Sequence, residues 1–386
     1  MARRSKAVQY AVLALLGASL VPIVSCSAAR KAPRATVQTA RSSVFSEHES
    51  HCLSGDLAEC ELIEDRLEEV AGIGPDFSKA SLVLRDACRQ DRRESCARVG
   101  QSWRYGIGTS RDIAKAADTL SVACKAGSAS ACAWWGELYA RGTGLSRDPD
   151  LAFKIFTMAC EKHDPRGCTG AARALSHGIG TQIDTAKAIG LLETACEGGY
   201  GPACVHLGEV YETGHGVERE RQRALKYFEL GCERGGGGGC LLMSVVHRFG
   251  MGRSIDPELA LEYLGRGCGA GHATACQQLA DFQQSGELCD VEPRKAIASR
   301  DSACQLGAGD ACLILGDGCN RGEIKFCTTE YESLYFIRAC SNGAPGGCVR
   351  AGAAFEQGRG VIADPVKAKE FFKKGCASGD TAACGR

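Results

Sequence analysis

The chain is poor in aromatic residues and has no net charge, and both features limit what it can be. Phe, Trp and Tyr make up 6% of its 386 residues, although a hydrophobic content of 44% suffices for a core of small, closely packed side chains. Its 46 basic residues balance 46 acidic residues, and removal of residues 1–25 deletes three basic residues and no acidic one. Nucleic-acid-binding proteins carry a basic excess that this chain lacks, so we expect no nucleic-acid partner.

The sequence also lacks the motifs of common hydrolases and metalloenzymes. No serine is followed by lysine three residues later, and there is no G-x-S-x-G segment. The eight histidines show neither the H-x-H-x-D-H nor the H-E-x-x-H spacing of zinc enzymes. A C-x-x-C redox pair and a phosphate-binding glycine loop are absent as well. We therefore predict no catalytic residue, no cofactor and no metal ligand.

The first 26 residues have the layout of a bacterial export signal. Arg3, Arg4 and Lys6 precede an apolar stretch over 7–24, and the signal ends in the tetrapeptide I-V-S-C, whose last residue is Cys26. This tetrapeptide resembles a lipobox, and the resemblance implies cleavage just before Cys26 and lipidation of its thiol. Ordinary secretion with an incidental cysteine, and an uncleaved membrane anchor, are the alternatives.

The residues after the signal predict where the protein resides. Ser27, rather than aspartate, follows the lipidated cysteine, which in the lipoprotein pattern indicates sorting to the outer membrane. Residues 26–50 are rich in Ala, Arg and Ser without apolar periodicity, so we expect a flexible tether. The predicted organisation is thus a signal peptide over 1–25, the tether, and a repeat domain over 51–386. We expect an exported protein of the cell envelope, facing the periplasm or the surface and held to the membrane by its lipid.

Cysteine, by contrast, is abundant and regularly spaced. Most of the 24 cysteines form pairs with seven residues between the two members, and the pairs recur every 36 residues. The ten pairs are Cys52 with Cys60, Cys88 with Cys96, Cys124 with Cys132, Cys160 with Cys168, Cys196 with Cys204, Cys232 with Cys240, Cys268 with Cys276, Cys304 with Cys312, Cys340 with Cys348 and Cys376 with Cys384. Such a period indicates stacked supersecondary units. Export favours disulfides, whereas paired zinc ligands are usually about two to four residues apart.

Within each repeat, glycines and an acidic residue mark two helices. Counted from the second cysteine of a pair, glycine stands at position ten and usually again at position twelve, as at Gly142 and Gly144. An acidic residue follows at position sixteen, often with proline after it, as at Asp148 and Pro149, which is a strong helix start. The pattern predicts helix A, a glycine turn and helix B, with the disulfide closing the turn to the next repeat. We therefore predict an all-α solenoid of about nine stapled αα-hairpins.

The combined motif resembles the Sel1-like repeat, a relative of the tetratricopeptide repeat. The resemblance covers residues 52–386 and is clearest over 204–217 and 348–368, which carry the L-G-x-x-Y, G-x-G-V and D-x-x-K-A elements between them. The cysteine-bearing form resembles the Helicobacter cysteine-rich proteins. The resemblance implies a solenoid that makes protein–protein contacts outside the cytosol. Because some members have been described as binding penicillin or slowly hydrolysing β-lactams, it also implies a β-lactam hydrolase as the alternative function.

The seventh and eighth repeats depart from the pattern. Cys289, Cys319 and Cys327 lie outside the regular pairs, and Arg300 replaces the large apolar residue of helix B. If Cys26 is lipidated, an odd number of cysteines remains, so at least one of the three lacks a partner within the chain. We favour a bridge between Cys289 or Cys327 and another of the trio, and the sequence leaves the choice open. The segment is either a tolerant joint that has drifted or a specialised site with a free thiol or an intermolecular disulfide.

Surface residues are the remaining candidates for function. Trp134 and Trp135 are adjacent on one predicted helix, so they cannot both face inward, and one should be at least half-exposed. Arg104 and Arg141 flank the turn nearby, and an arginine–tryptophan surface suits a peptide. We therefore predict a non-enzymatic scaffold that uses these four residues to bind a protein, a peptide or a peptidoglycan-associated partner.

Overall fold

The computed structural model describes residues 82, 84–90, 92–105, 112–142, 145–325 and 327–386. The predicted signal and tether lie outside these residues, as do Cys52 and Cys60. Residues 84–89 are helical and precede sixteen helices in the described part of the chain. These are α1 (Arg93–Tyr105), α2 (Ile113–Lys125), α3 (Ala129–Arg141), α4 (Pro149–Glu161), α5 (Pro165–His177), α6 (Thr185–Glu197), α7 (Gly201–Thr213), α8 (Arg221–Glu233), α9 (Gly237–Phe249), α10 (Pro257–Gly269), α11 (Ala273–Ser285), α12 (Pro293–Gln305), α13 (Gly309–Asn320), α14 (Thr329–Ser341), α15 (Pro345–Gln357) and α16 (Pro365–Ala377).

The odd-numbered helices are the predicted A helices, and most even-numbered ones begin at the predicted acidic position. Where this residue is aspartate, its carboxylate accepts a hydrogen bond from the backbone N–H three residues later. The aspartates are Asp112, Asp148, Asp184, Asp256 and Asp364. Glu220 and Glu292 occupy the same position without a side-chain cap. Glutamate is not among the favoured N-cap residues, so only part of the acidic pattern acts as a cap.

The two glycines of the turn have different roles. The first ends helix A in the left-handed region, as at Gly142 with φ 64°, which costs glycine little. The second lets the turn approach the preceding helix B. A Cβ on Gly180 would collide with the backbone of Pro149, and one on Gly360 with that of Thr329. The G-x-G pair therefore sets both the turn and the contact between successive hairpins.

Each hairpin is closed by a small residue of one helix against a large one of the other. Phe228 of α8 is buried over Gly208 of α7, where a Cβ would lie 2.6 Å from the ring. The large residue follows a buried alanine by four positions, so both lie on one helical face. In hairpin α5–α6 the equivalent residues are Ala172 and Leu192, also buried. The predicted core of small residues is confirmed.

The odd-numbered helices define one surface of the solenoid, which we call the A-helix face. Each helix packs on its chain neighbours, but successive odd helices also contact one another more extensively than successive even helices do. Closer spacing places the odd helices on the inner side of the curve. In α-solenoids the concave side is the extended binding surface.

Nine of the ten predicted disulfides lie in the described residues and are confirmed. Their Cα atoms are 4.3 to 4.9 Å apart, and each bridge links the end of one hairpin to the start of the next. They are Cys88–Cys96, Cys124–Cys132, Cys160–Cys168, Cys196–Cys204, Cys232–Cys240, Cys268–Cys276, Cys304–Cys312, Cys340–Cys348 and Cys376–Cys384. The remaining bridge, between Cys52 and Cys60, stays a prediction, because both Cys52 and Cys60 lie outside the described residues.

One described bridge lies outside the regular pairs. Cys319, at the end of α13, is bonded to Cys327, just before α14, with Cα atoms 5.5 Å apart. This bridge spans a hairpin turn rather than a joint between hairpins, and it fits the favoured pairing of Cys327 with another of the trio. Cys289 is fully buried, and the described residues include no free thiol. The odd cysteine expected from a lipidated Cys26 stays a prediction, because Cys26 lies outside the described residues.

Arg300 is buried in hairpin α11–α12, where other repeats carry leucine or phenylalanine. Its guanidinium donates to Asp281 and to the side-chain oxygen of Gln284, both at 2.6 Å. Only 6% of Arg300 is exposed. A charge is thus accommodated in the apolar position because α11 supplies acceptors at its surface edge.

Candidate partner-binding surface

Trp134 lies at the centre of a polar cluster on the A-helix face. Its indole is half-buried on α3, and both neighbouring A helices place an arginine against it. The Cζ atom of Arg166 on α5 is 4.0 Å from the ring centroid, and that of Arg104 on α1 is 5.4 Å away. Guanidinium groups are attracted to the indole quadrupole at these distances. Three successive repeats therefore contribute to one arginine–tryptophan cluster.

Glu137 holds the arginines of this cluster in place. It lies one turn after Trp134, and its carboxylate accepts from Arg104 at 2.8 Å and from Arg141 at 2.6 Å. Burial raises the pKa of Glu137, but the two guanidinium charges and their hydrogen bonds outweigh burial and bring it below the ordinary value. The carboxylate is therefore ionised at neutral pH. Arg104 is almost fully buried by this ion pair, whereas the side chain of Arg141 is 63% exposed.

Tyr200 and Asp164 extend the cluster along the face. Tyr200, the N-cap residue of α7, is half-buried and shares a side-chain hydrogen bond with Arg166. Burial raises the pKa of its hydroxyl against the opposing charge of Arg166. Asp164 caps α5 by accepting from the N–H of Gly167 at 2.8 Å, and burial raises the pKa of its carboxyl. Arg166 is thereby held between an aromatic ring and a hydroxyl.

The structure brings together three of the four residues singled out from the sequence. Arg104, Trp134 and Arg141 meet around Glu137, whereas Trp135 lies apart and makes an edge-to-face contact with Tyr139, with ring centroids 6.0 Å apart. Both tryptophans are half-buried and pack against the core, so neither is fully exposed. The expectation of an exposed Arg104 is wrong, since its carboxylate partner takes it into the interior.

Sequence analysis missed Glu137, Arg166 and Tyr200. They come from different repeats, and only the stacking of α3, α5 and α7 places them beside Trp134. The repeat period contains a signal for one of them. Position eight of one repeat faces position five of the next, and Arg104 and Glu137 stand at those positions with opposite charges.

The described residues offer no site for a metal ion, because no group of three or more His, Cys, Asp or Glu side chains could hold one. Within the same ranges, none of the helices has the length and apolar character needed to cross a bilayer. The cluster around Trp134 combines an aromatic ring, three guanidinium groups and an ionised carboxylate. Its chemistry is that of recognition rather than of bond cleavage, since it contains no nucleophile with an adjacent base.

Comparison with protein families identifies the repeat. The model of the Sel1 repeat matches residues 93–128, 129–164, 165–200, 201–236, 239–272 and 345–380, which together make up more than half of the chain. The matched segments leave out residues 273–344, which hold Arg300 and the Cys319–Cys327 bridge. None of the curated proteins matches the chain.

Solved structures similar to this chain come from several bacteria. A protective antigen of uropathogenic Escherichia coli that displays an SLR fold is 22% identical over 88% of this chain and 73% of that one, with a TM-score of 0.41. A Sel1 repeat protein from Oxalobacter formigenes is 22% identical over 78% of this chain and 88% of its own, with a TM-score of 0.47. Helicobacter pylori cysteine rich protein B is 26% identical over 34% of this chain and 94% of its own, with a TM-score of 0.27.

Proposed function

This chain belongs to the Sel1 repeat family, and we propose that it is a non-enzymatic scaffold that binds a protein or peptide partner on its A-helix face. We further propose that a lipid on Cys26 anchors it in the bacterial cell envelope, at the outer membrane. The described domain would then stand on the tether of residues 26–50, with its solenoid available to other envelope proteins.

The observation that carries the binding proposal is the Arg104–Trp134–Arg166 cluster. Tryptophan and arginine dominate the energetics of protein interfaces, particularly where they are already desolvated and packed. The indole here is half-buried, and Glu137 and Tyr200 fix the guanidinium groups on either side of it. Little side-chain freedom remains to be lost on binding, which favours affinity.

The disulfides support the envelope proposal. Ten bridges lie in the described residues, and bridges in such numbers persist in oxidising compartments but are rare in the cytosol of mesophiles. The lipid anchor rests on the sequence of residues 1–26 alone. Mass spectrometry of the mature N-terminus tests it, and a C26S variant should leave the membrane fraction. A soluble wild-type chain, or an unmodified Cys26, would contradict the anchor without affecting the binding proposal.

The β-lactam alternative gains no support from the described residues. The Trp134 cluster offers no serine or thiol nucleophile beside a base, and the lysine and serine positions of known β-lactamases are not present in the sequence. We therefore propose only the scaffold.

Partner capture with matched variants tests the binding proposal. The chain would be cross-linked in intact cells as the wild type, as W134A and as Y331A. Tyr331 is 56% exposed on α14, an even-numbered helix outside the A-helix face. We expect W134A to lose about 90% or more of the captured partner, as for an interface hot spot, and Y331A to retain it. Capture that survives in W134A, or that is lost equally in Y331A, would refute this surface as the binding site.

A further inference from the structure

A second cluster lies next to the tryptophan on the A-helix face, in a cleft between α5 and α7. The cleft has a volume of about 90 Å³. It is lined by Arg173 and His177 of α5, by His206 and Glu209 of α7, and by His215 of the following turn. A cavity of this size takes a few ordered waters or one small group such as a carboxylate, but not a sugar or a nucleotide.

The hydrogen bonds in the cleft fix its proton donors. The Nδ1 atom of His206 lies 2.6 Å from Oε2 of Glu209, and that of His177 lies 3.0 Å from the backbone oxygen of Arg173. Because a carbonyl or carboxylate oxygen only accepts, both imidazoles carry their proton on Nδ1. Their Nε2 atoms gain a proton, and become donors, only when the rings are charged.

The charge of the cleft is unbalanced. Burial raises the pKa of Glu209, but the hydrogen bond from His206 and the charges of Arg173 and His177 bring it below its ordinary value. One ionised carboxylate therefore faces a guanidinium and three imidazoles, with His215 as the third. α6 contributes Leu192 only.

The hydroxyl groups of the cleft are already engaged. Ser176 donates to the backbone oxygen of Ala172, and Thr213 to that of Glu209. Val210 completes the lining. The polar groups left for a ligand are therefore cationic or become cationic, which suits an anion.

We propose that this cleft binds a carboxylate of an acidic segment of the protein partner, an inference that rests on the proposed function. Charge complementarity and size select this occupant. The cleft also continues the tryptophan cluster, because Arg173 follows Arg166 by seven residues and so lies about 10 Å further along the same face of α5. An extended peptide covers that distance with about three residues. The acidic residue should therefore stand about three positions from the residue that contacts Trp134.

Direct binding of short peptides to the oxidised full chain tests the proposal. The probes are a fluorescent hexapeptide with three glutamates, amidated at its C-terminus, the same peptide with a free C-terminal carboxylate, and a glutamine counterpart. We expect binding of both acidic peptides and none of the glutamine peptide. Binding of the free-acid form alone would identify a chain terminus as the carboxylate, and equal binding of all three would overturn the proposal.

Two substitutions with opposite expected effects give the sharpest comparison. R173Q should weaken the glutamate peptide by about fivefold, whereas E209Q, which removes the single acid, should strengthen it by about twofold. K226Q is the control on the exposed surface of α8 and should change nothing. Because imidazoles gain charge between about pH 8 and 5, affinity for the glutamate peptide should rise over that range. Weakening in both cleft variants, or a flat pH profile, would refute the site.

The outcomes separate this proposal from the proposed function. Loss of cellular capture in W134A together with no acidic-peptide binding would leave the scaffold intact and sink the carboxylate site. Acidic-peptide binding that depends on Arg173 in a chain whose capture ignores Trp134 would support the cleft and reject the tryptophan surface.

Discussion

A single methyl group at Gly208 should test how the hairpins are closed. In G208A the new Cβ would lie 2.6 Å from Cδ1 and Cε1 of Phe228 and 3.0 Å from the carbonyl oxygen of Ala224. Overpacking of this kind costs about 1–3 kcal/mol, and we expect the upper part of that range because Phe228 is only 5% exposed. Replacement of a helical glycine by alanine returns about 1 kcal/mol of helix propensity. The net loss is therefore about 1–2 kcal/mol.

Two further variants isolate the cause. A Cβ on Gly190, in the interior of α6, would meet nothing within 4 Å, so G190A should gain about 0.5–1 kcal/mol from propensity alone. The double variant G208A/F228L should recover most of the loss of G208A. Hairpin α5–α6 already closes with this combination, because Ala172 and Leu192 occupy the equivalent positions.

Amide hydrogen exchange of the oxidised chain, followed by mass spectrometry of peptides from α7 and α8, is the assay. It reports local opening and so avoids treating a long array as one cooperative unit. A loss of 1–2 kcal/mol corresponds to a fall in protection of about 5- to 30-fold. Protection in G208A at or above the wild-type level would refute the packing argument. So would a double variant that is no better than G208A.

Three other predictions follow from the same structure. Loss of the Cys232–Cys240 bridge in C232S/C240S should lower protection at the glycine-rich α8–α9 joint by about 2–3 kcal/mol, and unchanged exchange there would show that the bridge is dispensable. E137Q should have a lower Tm than the wild type at pH 7. Because the folded-state pKa of Glu137 is lowered, its ion pairs stabilise the fold above about pH 4.3 and lose this effect as pH falls through the lowered pKa. The Tm difference should shrink below that pH, and a constant difference would contradict the ion-pair account. R300L should match or exceed the wild-type Tm, since apolar replacements of buried ion pairs are often tolerated. R300A should lower it by leaving a cavity, so equal losses in both variants would be evidence against this reasoning.

Local signals in the sequence account for most of the fold. The glycines, N-cap aspartates and cysteine pairs act within one turn of chain, so their spacing alone predicts helix ends and staples. The Cys319–Cys327 bridge was within reach of the same reasoning, because its members are also separated by seven residues. It was missed because the regular 36-residue period, rather than the local spacing, was used to assign partners. Glu220 shows the opposite error, since it keeps the period without the capping hydrogen bond.

The candidate surface was harder to predict because its contacts depend on competition between repeats. Arg104 and Glu137 stand at positions eight and five of successive repeats and form an ion pair across them. Arg248 and Asp281 stand at the same two positions with the same charges. There, however, Asp281 accepts from Arg300, and Arg248 pairs with a glutamate of the turn after α11. Identical spacing thus gives an ion pair at one joint and none at the other, because an arginine of the next helix along the chain occupies the acid. A site of this kind requires the partners of every charged group to be known, and only the stacked structure supplies them.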